Sequence, residues 1–238
     1  MVGPASFLPH PGPRPLPREA RGGHNPGMNN PGVPTDETTR ATLALIRSFT
    51  SGTILCDGTP EPVRFVFDGR TGRVVLALDP VWAGCEEFVL CLPDDSFDTK
   101  ARLLLVPERL DEHDPALDMY LAYHGRGATG VCLSAAIESA KLGDSTVVDG
   151  AALTVANPLM PALGRLCRAL NEDRGALRRA CGRAAGVSPE DPLAVGIDPF
   201  GVDVRARFGT VRLAFGVPVA DVDEAEARVR ALIGGGGA

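Results

Sequence analysis

His124 stands in the run Tyr-His-Gly-Arg, behind an apolar stretch and two residues ahead of Arg126. An imidazole nitrogen can ligate iron and a guanidinium can pair a propionate, so these two residues are candidates for holding a charged prosthetic group. The same spacing has a plainer use, because a histidine in the last turn of a helix is favoured by the helix dipole. His113 lies in Asp-Glu-His-Asp, and neighbouring loop residues seldom converge on one ion, which makes it a surface residue. Arg64, Arg70, Arg73, Lys100 and Arg102 are the basic side chains of the β-rich segment placed to serve a phosphate. Arg64 and Arg102 fall inside predicted strands, where alternation directs them either to a ligand or to water.

Several chemistries lack their residues. The sequence has no Gly-x-Ser-x-Gly elbow, no His-Glu-x-x-His, no Walker loop and no Gly-x-Gly-x-x-Gly after a predicted strand. Hydrolase, metalloprotease and nucleotide-triphosphate activities are therefore poorly supported. The six cysteines form no Cys-x-x-Cys pair, and most sit in apolar runs where a free thiol behaves as a small hydrophobe.

Of 24 basic residues only Lys100 and Lys141 are lysines. Formal charge is +2 over residues 1–35, −9 over 36–157 and +1 over 158–238. The acidic middle argues against a nucleic-acid groove, which needs clustered Lys and Arg. Arg178, Arg179 and Arg183 make a basic stripe suited to a helix C-terminus or an acidic partner. With 238 residues, 44% of them hydrophobic, and no apolar run near the roughly 20 residues of a membrane span, the expectation is a soluble, cytoplasmic protein.

The elements that must position these side chains fall into three stretches. Residues 1–35 carry nine of the 21 prolines up to Pro34, together with His10 and His24, and read as a disordered tail. Residues 36–157 begin with a helix capped by Thr35 or Asp36, with Leu43, Ile46 and Phe49 on its apolar face. Short apolar runs broken by Asp-Gly and Pro-Asp turns follow, the clearest hairpin being Pro-Val-Arg-Phe-Val-Phe-Asp-Gly-Arg-Thr-Gly-Arg-Val-Val-Leu-Ala-Leu. A short helix is predicted over 115–123, with further strands at 130–143, 145–150 and 153–156, for seven or eight strands in all. Trp82 and Phe88 read as core or dimer-interface residues.

From Pro158 the hydrophobic period changes. Leu159, Leu163, Leu166 and Leu170, then Leu177, Ala180 and Ala184, stand at helical spacing, with a break or joint between Asn171 and Gly175. Three strands in a meander and a helix capped by Asp221 and Glu224 complete a 158–238 α+β domain.

Asp198 and Gly201 in Ile-Asp-x-x-Gly, Arg212 to Phe215 in Arg-x-x-Phe, Pro218 and Asn171 make the last 80 or so residues resemble the small C-terminal domain behind split barrels of the haem-utilisation (HugZ-type) group. That domain also occurs in plastid proteins that bind glutamyl-tRNA reductase. The preceding segment is similar to pyridoxamine-phosphate-oxidase-like split barrels in strand number and in its Pro-x-Arg-Phe-Val-Phe-Asp-Gly hairpin. The resemblance implies an α+β fold, a split β-barrel followed by a three-stranded meander, and a homodimer whose interface holds flavin mononucleotide (FMN) or haem.

Two positions depart from that pattern. The loop corresponding to the family's basic phosphate loop reads Asp-Pro-Val-Trp-Ala-Gly-Cys-Glu-Glu, and Arg174 stands where a histidine is usual. The acidic loop speaks against FMN, because a buried phosphate beside Glu86 and Glu87 lacks compensation. Haem asks for less, namely one axial ligand and a propionate partner, roles open to His124 and Arg126. Two functions follow from the resemblance: a ligand-poor binding or regulatory module with a protein partner, or a haem- or flavin-dependent oxidoreductase.

Overall fold

The computed structural model describes residues 36–125 and 127–234; the expected 1–35 tail with His10 and His24, and Arg126, lie outside the described residues. Helix α1 (Glu37–Ile46) starts where Asp36 accepts the amide of Thr39 at 2.7 Å, and it buries Leu43 and Ile46 completely. Seven strands follow: β1 (Ser51–Cys56), β2 (Thr59–Phe67), β3 (Val74–Leu78), β4 (Phe88–Leu92), β5 (Ala101–Arg109), β6 (Val131–Leu142) and β7 (Thr146–Asp149). They pair antiparallel in the order β3-β2-β1-β4-β5-β6-β7, and β3 also pairs with β6. That last pairing closes the first six strands into a barrel and removes their free edges. β7 is the extra strand.

Period-2 burial makes the barrel interior. In β5, Ala101, Leu103 and Leu105 are buried while Arg102 and Val106 are exposed. Phe65, Leu76, Leu90 and Leu103 fill the centre together with Leu43 and Ile46 of α1. The predicted β2–β3 hairpin is present, its turn held by Asp68, whose carboxylate accepts from the Arg70 amide at 3.1 Å and the Thr71 hydroxyl at 2.8 Å. Phe88 lies in the core and Trp82 packs against it.

Helix α2 (Ala116–His124) lies on the outside of the barrel. Val66 and Val75 face outward from β2 and β3, and Ala116 and Tyr120 cover them. The strand expected at 153–156 is absent: residues 150–153 form the short helix α3 (Gly150–Leu153), started by Asp149, which accepts the Ala151 amide at 2.8 Å. Four alternating residues are too few to outweigh a cap of that kind.

After Pro158 the chain builds α4 (Leu163–Glu172) and α5 (Arg174–Ala185), two helices with the break at Asp173, which caps the second through the Ala176 amide. The meander β8 (Leu193–Asp198), β9 (Gly201–Ala206) and β10 (Gly209–Ala214) pairs antiparallel, and α6 (Val222–Ile233) packs beside it. A second core of Leu166, Leu170, Leu177, Val202, Leu213 and Val229 holds these elements. The fold is α+β, a closed barrel plus a separate three-stranded sheet.

Candidate functional site

Polar groups bridge the two cores. The Asn157 amide donates from its backbone to Gly69 in the β2–β3 turn and from its side chain to Ile197 of β8, at 2.8 and 2.7 Å. Beside it lie Arg47, Asp198 and Asp203, which are buried, with Arg212 and Tyr123, which are half-buried. Arg212 pairs with Asp198, and its Nη1 reaches Asp203 Oδ2 at 3.0 Å. Asp198 Oδ1 also accepts the amides of Phe200 and Gly201, which sets the β8–β9 turn. The Ile-Asp-x-x-Gly and Arg-x-x-Phe motifs are thus structural: one buried ion pair ties β10 to that turn.

Burial opposes the charge of Arg212, but the carboxylates of Asp198 and Asp203 outweigh it and hold the guanidinium charged. Burial pushes Tyr123 well above the ordinary tyrosine value, with the Asp203 carboxylate adding to the effect, so its hydroxyl stays a donor. A cavity of about 30 Å³ adjoins this cluster, lined by Arg47, Tyr123, Asn157, Asp198 and Asp203. It is too small for an organic ligand.

A larger cleft opens between the barrel, the end of α2 and the β9–β10 hairpin. Its volume is about 370 Å³. One wall is Ser48, Phe49, Thr50 and Ser51 with Arg64, which faces outward because its neighbours Val63 and Phe65 face in. Tyr123 and His124 enter from α2, and Arg205, Arg207, Phe208 and Thr210 form the opposite wall. Among the described residues, no Asp or Glu lines this cleft.

Arg205 is positioned by its Nη1, which donates to the Ala122 carbonyl at 2.6 Å, and among the described residues it has no carboxylate partner. Arg64 likewise makes no ion pair among the described residues. Arg207 meets Glu190 at 3.2 Å in an exposed pair of the kind that contributes little.

The structure brings together two of the residues expected from sequence, Arg64 and His124. His124 Nε2 lies 3.2 Å from the Phe65 carbonyl, which can only accept, so that nitrogen carries the proton. Its ring also rests against Tyr120, with centroids 4.5 Å apart. Nε2 is therefore a donor in this arrangement. Lys100 and Arg102 are elsewhere, at the β4–β5 hairpin, where Arg102 pairs with Asp95 at 3.2 Å. His113 is exposed, and among the described residues no group of three or more His, Cys, Asp or Glu side chains could hold a metal ion.

The acidic loop is also remote from the cleft. Asp57 accepts the amides of Glu86 and Glu87, and Cys56 faces Phe88, whereas Arg64 faces Ser51 at the other end of β1. Five residue steps separate Ser51 from Cys56, about 17 Å at the usual rise. Glu86 and Glu87 do not oppose an anion bound beside Arg64, which removes the electrostatic objection to a phosphate there.

Sequence reading missed Arg205, Arg207 and Phe208. Their signal was the Arg-Ala-Arg-Phe run, which alternation identified only as the end of a strand.

No family model matches the chain, and no curated protein matches it in sequence. Among solved structures it is similar to the protein Atu2129 (unknown function) from Agrobacterium tumefaciens str. C58, with a TM-score of 0.62 at 16% identity over 81% of this chain and 94% of that one. That likeness shows the fold. A heme binding protein from Mycobacterium smegmatis aligns with 86% of this chain and 99% of its own at 19% identity. Its TM-score of 0.39 carries no argument about fold or ligand.

Proposed function

We propose that the protein is a split-barrel binding module whose cleft takes an anionic ligand. The observation that supports this reading is the pair Arg64 and Arg205 in one cleft, where the described residues supply neither of them with a carboxylate partner and put no acid in the lining. In a chain of net charge −6, cationic side chains left unmatched in one concavity favour an anion from solution. Titration calorimetry with inorganic phosphate and sulfate tests it, comparing the intact protein with Arg64→Ala and Arg205→Ala. Binding that weakens tenfold or more in each variant, and also weakens as salt rises, supports the reading; undetectable binding at low ionic strength overturns it.

The second reading is a haem-dependent oxidoreductase, favoured by His124 sharing the cleft with Arg64 and Arg205. Haem propionates would pair with the arginines, and His124 Nε2 would have to leave the Phe65 carbonyl and lose its proton to reach iron. A Soret shift on haem addition that His124→Ala abolishes and His113→Ala preserves would establish it. FMN is tested by the same titration, through the change in its visible spectrum. A homodimer completing the cleft rests on the family resemblance, and light scattering at micromolar concentration decides it. The division at Pro158 into two domains is likewise a proposal, checked by whether 36–157 folds alone.

A further inference from the structure

We infer that the ligand of this cleft carries a planar ring beside its anionic group, and that Phe208 is the residue that selects for the ring. The inference rests on the anion-binding reading above and extends it to the apolar part of the ligand.

Phe208 is 67% exposed at the tip of the β9–β10 hairpin and lines the cleft. The register pairs Ala206 with Gly209, leaving Arg207 and Phe208 as the two connecting residues. Such short loops draw on Gly, Asn and Asp, because backbone demands are strict there and side chains are usually solvated. In this hairpin the positive φ, +146°, falls on Gly209, while Arg207 and Phe208 keep negative φ. The turn therefore makes no demand for an aromatic at 208. The second core does not include Phe208 either.

Phe208 shares the lining of the cleft with a second phenylalanine and with two arginines that make no ion pair among the described residues. Phe49, half-buried and packed on the barrel core, is the other aromatic ring among the cleft-lining phenylalanines, and Arg64 and Arg205 lie in the same cleft. Phe49, Phe208 and Tyr123, lining one cleft with cationic groups, suit a molecule with a flat apolar body and one charged end. Arginine donates to phosphate and carboxylate alike in bidentate geometry, so the shared chemistry is an aryl or heteroaryl anion. Ser48, Thr50, Ser51 and Thr210 add neutral hydroxyl-bearing side chains to the lining.

The experiment is a calorimetric series on the full chain with inorganic phosphate, methyl phosphate, phenyl phosphate, acetate and benzoate as probes. The expected result is a gain of about tenfold from methyl to phenyl phosphate, or from acetate to benzoate, lost in Phe208→Ala and kept in Phe208→Tyr, with inorganic phosphate affinity unchanged in both. The arm that shows the gain identifies phosphate or carboxylate as the anionic group. Equal affinity for ringed and ringless probes, or a gain that survives Phe208→Ala, overturns the ring inference and leaves the anion-binding reading standing. No binding of any probe overturns both. Phe208 is exposed and outside either core, and circular dichroism of the variants verifies that the fold is unchanged.

Discussion

The Tyr123 hydroxyl donates to Asp203 Oδ2 at 2.8 Å, tying the last turn of α2 to the middle of β9. Two residues along β9, Arg205 binds the Ala122 carbonyl, so one turn of helix sets the position of the meander wall of the cleft. Gly196 of β8 makes the approach possible, because a Cβ there would collide with the Tyr123 hydroxyl.

Tyr123→Phe leaves Asp203 buried with one donor fewer. Burial already pushes the Asp203 carboxyl above its ordinary value, against the pull of Arg212. A loss of about 1–3 kcal/mol is expected in urea denaturation. Arg212→Ala removes the cation that Asp198 and Asp203 share, leaving Asp198 with Arg47 4.0 Å away and Asp203 with the Tyr123 hydroxyl, and should cost more, roughly 3–5 kcal/mol. A Tyr123→Phe loss equal to that of Arg212→Ala would contradict this ordering.

Gly196→Ala forces either Tyr123 or β8 to move. Overpacking of this kind costs about 1–3 kcal/mol, and the displaced α2 end should weaken anion binding along with stability. Thermal denaturation and the phosphate titration check both consequences; unchanged values would mean that the seam tolerates a methyl group.

Asp57 holds the amides of Glu87 and Glu86, and the Glu87 bond leads in keeping its carboxyl below the ordinary 3.8. A depressed folded value means that the contribution is present above the unfolded value and is lost as pH falls through the folded one. Asp57→Asn, which tolerates the φ of +48° at this position, should be less stable at neutral pH and converge on the parent protein in acid. Melting curves from pH 7 to pH 2 test the sign, and a gap that widens in acid would reverse it.

Burial pushes the Cys56 and Cys167 thiols up to about 12, with Cys85 adding to the effect at Cys56 and Asp203 at Cys167. At pH 8 only about one thiol in ten thousand is then ionised. Alkylation of the native protein followed by peptide mass mapping should leave both unlabelled, and labelling should appear on unfolding in urea.

Much of the fold was legible because its signals are local. Asp36 before an apolar helical face, Asp68-Gly69 between two β-rich runs, and Asp221 three residues before Glu224 each act within a few residues, and each starts or turns the element expected of it. At 153–156 the difference is local too: the Asp149 cap starts a helix that reaches Leu153 and overrides a four-residue alternation.

Closure of the barrel through β3 and β6, and the cleft itself, depend on contacts between distant parts of the chain. Arg64 and His124 could be named as candidates from residue type and strand or helix position alone. That Arg205 joins them, that Arg102 turns instead to Asp95, and that Glu86 and Glu87 lie at the far end of β1 follow from strand pairing and the Tyr123–Asp203 seam. Sequence periodicity specifies which face of an element is buried, but the energy that chooses a neighbouring element is released only when distant apolar faces and buried charges meet in three dimensions.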